Sequence, residues 1–307
     1  MARIYKTIID GPHPAALAPE GQVSYSTDTI PRLETGAVRI GIQAAVKLSE
    51  QNSDSNIPLE ILPLSIHFRY GASGKRAMKK LLLKIEKACG FFLRQTCKLT
   101  LHDRLKQCRD YILKLNENRY NIKSDENIPF EQRLDAVVNT ALEKAERMLG
   151  IKPEGDFFPR LYRVRHLCWD RIFLPNLEKI KDITDLDRGI KNIAAGEAWH
   201  IARHQELADF AWYFRHEVPT EKTPTHNIVE YVQNLWDFAN RTMGGALSQR
   251  INIPSSKIII QTAKPINISN YLDKYKNNKK DTIDELNLEL EKAYVDCIND
   301  VNSHLSI

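Results

Sequence analysis

A carboxylate and a glycine, Glu20 and Gly21, follow Pro19 in a turn that has the surroundings of a ligand site. An apolar run over residues 15–18 stops at this turn, and a helical pattern opens near Gly36 after a polar loop. This order predicts a short buried strand and half of an α/β unit, in which ligands lie beyond the carboxyl end of the strand. Because a carboxylate repels phosphate, we expect Glu20 to fix a nearby Arg or Lys and to order the turn so that backbone N–H groups face an anion. The competing interpretation is a Glu that only caps the following segment.

Three other arrangements of reactive side chains are weaker candidates. His204 and Asp209 have a His-x4-Asp spacing that suits a base and its orienting acid, but nine histidines in 307 residues make a chance match common. His200 and His204 are spaced like zinc ligands on one helical face, yet the Glu of a metalloprotease helix is missing between them. His166 and Cys168 are neighbours in sequence, which establishes no catalytic geometry. We therefore expect no catalytic residue, no metal ligand and no cofactor site among these residues.

Bulk composition indicates a globular protein from a reducing compartment. The five cysteines contain no Cys-x-x-Cys pair, which favours free thiols. No run approaches the ~18 apolar residues of a transmembrane helix, and the first residues lack the apolar core of a signal peptide. We expect a cytoplasmic protein, with peripheral contact at the inner face of the membrane left open. The net charge of +5 permits an anionic partner and requires none.

The stretch 68–98 concentrates positive charge, because only Glu86 opposes its lysines and arginines. Interleaved apolar residues predict a basic amphipathic helix. One interpretation is contact with anionic lipid head groups, where each Lys or Arg contributes roughly 1 kcal/mol. The other is the solvated face of an ordinary packed helix. No nucleic-acid partner is expected, since no recognised binding module accompanies the charges. The candidate membrane-contact residues are Lys75, Arg76, Lys79, Lys80, Lys84 and Lys87.

Most of the remaining chain has the apolar spacing of helices, and two apolar segments are predicted to be strands. Long helices are predicted over residues 131–149, 160–180, 185–216, 225–249 and 281–305. Strands are predicted over residues 58–68 and 257–266. We expect these two strands to be neighbours or near neighbours in one sheet, with the residues between them forming a helical insertion.

Several motifs, in this order, resemble the glycerolipid acyltransferases, the family that moves fatty acyl groups onto glycerol-3-phosphate or lysophospholipids. Ala18-Pro19-Glu20-Gly21, followed by Gly36-Ala37-Val38-Arg39-Ile40-Gly41, is similar to the third conserved block of that family. Leu62-Pro63-Leu64 is similar to the fourth block, and Pro265-Ile266 to a late core strand that precedes a terminal helix. The tripeptide alone is a weak marker, because Pro153-Glu154-Gly155 recurs without a strand before it.

The resemblance implies an α/β fold: a partial acyltransferase-type sheet with flanking helices plus a large all-helical insertion. Residues 1–72 would form the C-terminal half of the acyltransferase core. Residues 73–255 would form the helical insertion, and residues 256–307 the last core strand and the terminal helix.

The resemblance also implies transfer of a fatty acyl group from an acyl thioester to a glycerophosphate or lysophospholipid acceptor. The donor would be acyl-CoA or acyl carrier protein. Glu20 and Gly21 match the acceptor-binding positions of the family, and Arg32 or Arg39 would replace its usual cations, which this sequence lacks after Gly21 and before Gly36. The His-x4-Asp block that precedes these motifs in the family is missing, so we expect this chain to be inactive by itself. The alternative is a non-catalytic helical protein that interacts with a membrane surface.

Overall fold

The computed structural model describes residues 2–21, 25–30, 32–51, 58–173, 183–215 and 217–303. The chain divides into two compact units. Unit 1 joins Met1–Gly71 with Ser255–Ile307, and unit 2 is Ala72–Pro254. These boundaries lie one residue from those placed at 72 and 255 in the sequence.

Helices form most of the described chain, and short strands occur only in unit 1. The α-helices are α1 Ala2–Asp10, α2 Gly36–Gln51, α3 Ala72–Ala88, α4 Leu93–Thr96, α5 Leu101–Arg119, α6 Phe130–Leu149, α7 Phe157–Ile172, α8 Asp185–Tyr213, α9 Thr225–Thr242, α10 Leu272–Asn277 and α11 Lys279–Ser303. The strands are β1 Glu60–Ile61, β2 Leu64–Arg69, β3 Lys257–Thr262 and β4 Ile266–Asn267.

Local signals set the helix ends in unit 2. The Thr100 hydroxyl accepts a hydrogen bond from the backbone N–H of Asp103, at 3.1 Å, and so caps the start of α5. Gly150 adopts a left-handed φ of 71° and ends α6. The helix predicted at 131–149 is confirmed. The one predicted at 185–216 ends at Tyr213, with residue 216 outside the described residues, and the one predicted at 225–249 ends at Thr242, before a Gly-Gly pair. The helix predicted at 160–180 ends at Ile172, and residues 174–180 lie outside the described residues.

The expected pairing of the two strand segments is confirmed. Strand β2 pairs antiparallel with β3, with Ile66 opposite Ile260, and β1 pairs antiparallel with β4. The two ladders follow one another along the same pair of segments and are interrupted at Pro63, which has no N–H to donate. The Pro63 carbonyl still accepts from the N–H of Ala263, at 3.1 Å.

The buried strand predicted at residues 15–18 is wrong. These residues are exposed and irregular up to the turn at Pro19 and Glu20. Three of the four are alanines, which bury little area, and Pro12 and Pro14 before them cannot donate to a ladder. The described sheets are also antiparallel, so the local βα pattern did not produce a parallel α/β unit.

Close packing in the core of unit 1 positions α2 against the sheet. Val38, Ile42 and Ala45 on α2 are buried with Ile266 and Leu286 in one cluster. At Gly41, a Cβ atom would lie 2.6 Å from Cδ1 of Ile268. A glycine therefore allows the close approach at this point of the helix.

Candidate functional site

The Pro-Glu-Gly turn is held against the residues that precede α2. Gly21 has a left-handed φ of 65°, which a residue with a Cβ adopts only with strain. The backbone N–H of Gly21 donates to the carbonyl of Ala18, at 3.3 Å. The N–H of Glu34 donates to the carbonyl of Pro19, at 2.6 Å. The turn therefore lies next to the first residues of α2, although no strand leads into it.

The carboxylate of Glu20 lies near the terminal helix and the start of β2. Glu20 is half-buried, and its charge acts on the pKa of Tyr294 of α11, on which the backbone of Leu64 also acts. Burial raises the pKa of Tyr294, the Leu64 hydrogen bond opposes that rise, and the Glu20 carboxylate adds to it. The turn and the Leu-Pro-Leu segment, which are far from the terminal helix in sequence, therefore both influence the pKa of Tyr294.

Tyr294 was not singled out from the sequence. Its helix was predicted, and the signal that was available is its position on the helical face that also carries Leu290 and Cys297. Both of those residues are buried, so a side chain between them points toward the same neighbours.

The two candidate cations lie on the same short stretch of chain as the turn. Arg32 precedes Glu34 by two residues, and Arg39 lies in the first turn of α2, with its N–H bonded to the carbonyl of Thr35. Both arginines are exposed. The first turn of α2 adds partial positive charge, because the leading N–H groups of a helix have no partner within that helix. The stretch therefore has the donors that an anionic group needs, while Glu20 stays a carboxylate that cannot itself bind an anion.

A groove of about 530 Å³ lies on another side of α11, between that helix and the turn after β3. Glu289, Asp296 and Asp300 line it together with Lys264 and Lys292. Acidic groups outnumber basic groups, which disfavours a phosphate. The groove is thus a poorer candidate for an anionic acceptor than the turn at Glu20.

The structure separates the His-x4-Asp pair of α8. A difference of five residues rotates two side chains by about 140° around a helix. Nδ1 of His204 lies 2.8 Å from the Tyr120 hydroxyl, whereas Oδ2 of Asp209 accepts from Nη2 of Arg165 at 2.6 Å. Burial lowers the pKa of His204 to about 4. The imidazole is therefore a neutral core group, and Asp209 does not orient it.

The other two sequence candidates lie in surroundings that do not favour the chemistry suggested by their spacing. His200 is exposed while His204 is buried, and no group of three or more His, Cys, Asp or Glu in the described part of the chain is placed to hold a metal ion. Burial raises the pKa of Cys168 to about 11, so its thiol is protonated near neutral pH and a poor nucleophile.

Helix α3 is amphipathic as predicted, and its apolar face packs inside unit 2. Met78, Leu81, Leu82 and Ile85 are buried, and α3 contacts α9 and α5. All six candidate membrane-contact residues are exposed, and within the described residues none of them forms an ion pair. Lys84 places Nζ 4.1 Å from the centroid of the Trp236 ring. The apolar side of α3 is thus unavailable for insertion into a bilayer, and only its charges can contact one.

Comparisons of the chain with protein-family models, curated protein sequences and solved structures returned no match. Among the described helices, none combines the length and the apolar character needed to cross a bilayer.

Proposed function

We propose that this chain is the acceptor-binding part of an acyltransferase that moves a fatty acyl group from acyl-CoA or acyl carrier protein to a glycerophosphate or lysophospholipid. The acceptor phosphate binds at the turn formed by Pro19, Glu20 and Gly21. The proposal assigns the acyltransferase-type core to unit 1 and treats unit 2 as a helical insertion.

The pairing of the segments that carry the Leu-Pro-Leu and Pro-Ile motifs is the observation that supports this proposal. Ile266 lies opposite Ile61, which directly precedes the Leu-Pro-Leu motif. The carboxylate of Glu20, in the Pro-Glu-Gly motif, helps to raise the pKa of Tyr294 on the terminal helix. The motifs, which occur in this order in the sequence, all lie in unit 1.

The turn could recognise a phosphate through cations and backbone N–H groups near Glu20, while the Glu20 carboxylate itself makes no contact with the phosphate. Arg32 and Arg39 supply positive charge, and backbone N–H groups in the first turn of α2 supply directional donors. In this proposal, the role of Glu20 is to fix the shape of the turn. Its replacement by Gln keeps the size of the side chain and removes the charge.

The base that takes the acceptor's hydroxyl proton comes, in this proposal, from residues outside the 307. The only His-x4-Asp pair of the chain is buried in α8 with other partners. We therefore expect the chain alone to bind an acceptor without transferring an acyl group to it.

Titration with glycerol-3-phosphate, followed by the backbone amide signals of the protein in NMR, tests the binding step. The signals of Gly21 and Glu34 should shift during the titration. Glu20→Gln should weaken binding by a factor on the order of ten, the effect of losing roughly 1.4 kcal/mol of ordered contacts. Arg39→Gln should weaken it by a similar factor, because a charge-assisted hydrogen bond to the phosphate is lost.

The second Pro-Glu-Gly tripeptide provides a matched control. Glu154 is exposed in unit 2, and the following Gly155 also has a left-handed φ, of 96°. Glu154→Gln should leave binding unchanged. Equal weakening by both variants, or no binding of glycerol-3-phosphate and lysophosphatidate, would refute the assignment of the site. Acyl transfer by the chain alone, abolished by Glu20→Ala, would refute an external base.

The exposed cations of α3 favour a second candidate function, a non-catalytic protein that contacts an anionic membrane surface. Charges on a packed helix act only through attraction to head groups, which salt screens. This candidate predicts binding to anionic vesicles at low salt, release at high salt, and no acceptor binding at Glu20.

A further inference from the structure

Three connections between helices of unit 2 are built in the same way. Just after α3, α5 and α6, one residue has a left-handed φ, and the N–H of the residue that follows it donates to the carbonyl of a glutamate five positions earlier. The left-handed residues are Gly90, Asn121 and Gly150, and the glutamates are Glu86, Glu117 and Glu146. The three glutamates are 31 and 29 residues apart, so the same helix ending recurs at a nearly constant interval.

The side chain of each glutamate holds the start of a following helix. Its carboxylate accepts two hydrogen bonds from one arginine, from Nε to Oε1 and from Nη2 to Oε2, at 2.7–3.0 Å in all three cases. The arginine is the fourth residue of α5, α6 or α7, and a buried leucine follows it each time. The pairs are Glu86–Arg104, Glu117–Arg133 and Glu146–Arg160.

The second and third connections also resemble each other in sequence. Asn121-Ile122-Lys123 follows α5, and Gly150-Ile151-Lys152 follows α6. The next helices begin with Phe130-x-x-Arg133-Leu134 and with Phe157-x-x-Arg160-Leu161. The first connection is longer because it contains α4, and it retains the glutamate, the left-handed glycine and the Arg-Leu pair. Backbone geometry, side-chain contact and residue type therefore recur together.

Local preferences do not explain why the glutamates occupy these positions. Each carboxylate lies near the C-terminal end of a helix, where the helix dipole disfavours negative charge, and its side chain is at most 2% exposed. A buried ion pair adds little net stability over apolar residues of similar volume. It does impose one geometry, because a guanidinium and a carboxylate align along two parallel hydrogen bonds. The recurring pair therefore suits the positioning of one helix against the next.

We propose that α3, α5, α6 and α7 are copies of one repeating unit of about 30 residues, in which the Glu–Arg pair fixes the register of each helix against the preceding copy. Consistent with this order, α3 contacts α5, α5 contacts α6, and α6 contacts α7. The glutamate acts twice, since its carbonyl closes the end of one helix and its carboxylate holds the start of the next. These contacts lie within unit 2 and are independent of the acceptor site proposed in unit 1.

Urea unfolding of single variants tests whether the three pairs are equivalent. Glu86→Gln, Glu117→Gln and Glu146→Gln each keep the size of the side chain and leave a buried arginine without its charged partner. Each should raise the unfolding equilibrium constant by at least about a hundredfold. Glu126→Gln is the matched control, since Glu126 is exposed in the connection after α5, with Oε1 4.0 Å from Nζ of Lys114, and it should change the constant by less than about fivefold. An effect as small as the control at any of the three glutamates would overturn the equivalence.

A distance measurement tests the register. Glu117→Met with Arg133→Met removes both charges at similar volume, so the unfolding constant should return to within about tenfold of wild type. Spin labels replace the exposed Lys114 on α5 and Asn139 on α6, with the exposed Cys97 changed to Ser. Pulsed electron paramagnetic resonance should give one distance in wild type and several in the paired variant, spread over up to one helical turn, ~5.4 Å. The same single distance in both, or a paired variant as unstable as Glu117→Gln, would refute the register role.

A chimera tests the repeat itself. Residues 121–132 are replaced by a second copy of residues 150–159, which retains Glu117 and Arg133 on either side. The chimera should unfold cooperatively, and its melting temperature should exceed by at least about 5 °C that of a control carrying ten Gly and Ser residues in the same place. A chimera that does not fold, or that is no more stable than the Gly/Ser control, would show that the connections are not copies of one unit.

Discussion

Acidification should destabilise unit 2 through His204. An imidazole in an unfolded chain has a pKa near 6.5, whereas burial beside Tyr120 lowers the pKa of His204 to about 4. Because the folded pKa is depressed, the neutral imidazole contributes stability that is present above pH 6.5 and lost as the pH falls toward 4. The difference corresponds to about 3 kcal/mol over the whole window and to about 2 kcal/mol at pH 5.

Urea unfolding at pH 7 and pH 5, followed by circular dichroism, measures this loss. Asp237 opposes it, because burial raises the pKa of its carboxyl to about 6, so the contribution of His204 is read as a difference between wild type and a variant. His204→Gln retains an acceptor for the Tyr120 hydroxyl and cannot be protonated. Its stability should fall less than that of wild type between the two pH values, by about 2 kcal/mol.

His166→Gln is the control, since His166 is exposed on α7 and is not among the groups that act on the pKa of His204. It should keep the pH dependence of wild type. An NMR titration of the His204 ring supplies a direct reading, with a midpoint near 4 expected. A midpoint near 6.5, or equal pH dependence in wild type and His204→Gln, would refute the assignment of His204 as a neutral core residue.

Two further predictions concern packing and thiol reactivity. Gly41→Val should lower the stability of unit 1 by about 1–3 kcal/mol, because a Cβ at that position meets Ile268, while Gly36→Ala, which meets nothing within 4 Å, should have little effect in thermal unfolding. Similar losses in both variants would contradict the packing argument. Exposed Cys97 should react rapidly with iodoacetamide and buried Cys168 only after unfolding, as followed by mass spectrometry; rapid labelling of Cys168 in the folded protein would show that its burial is misassigned.

The helices and the pairing of the two strand segments could be predicted from the spacing of apolar residues in the sequence. The apolar residues of α6 recur at helical spacing over twenty residues, and a pattern of that length indicates an amphipathic helix. The strand segments were recognisable because apolar, β-branched residues alternate or run together near Ile61 and Ile258. The two strand segments flank a long helical stretch, so each segment was the expected pairing partner of the other.

The local sequence pattern gave a wrong prediction, a buried strand, at residues 15–18. An apolar run before a turn predicts a strand only when a neighbouring strand accepts its hydrogen bonds, and none of the described strands does so. Tyr294 was missed for the same kind of reason. Tyr294 is influenced by Leu64 and Glu20, which are far from it in sequence, and no local feature of α11 predicts these neighbours.

The sequence by itself determined the helical character of unit 2, the pairing of the two strand segments and the composition of the Pro19-Glu20-Gly21 turn, because periodicity and residue type act locally. Only the tertiary structure decided the state of the reactive groups. It buried His204 against Tyr120 and Asp209 against Arg165, and it turned the apolar side of α3 inward. It also left Ile66, Phe68 and Ile260 of the β2–β3 ribbon exposed to solvent. Burial and long-range contacts depend on which distant segments arrive at a point in space, and that information is absent from any single stretch of the chain.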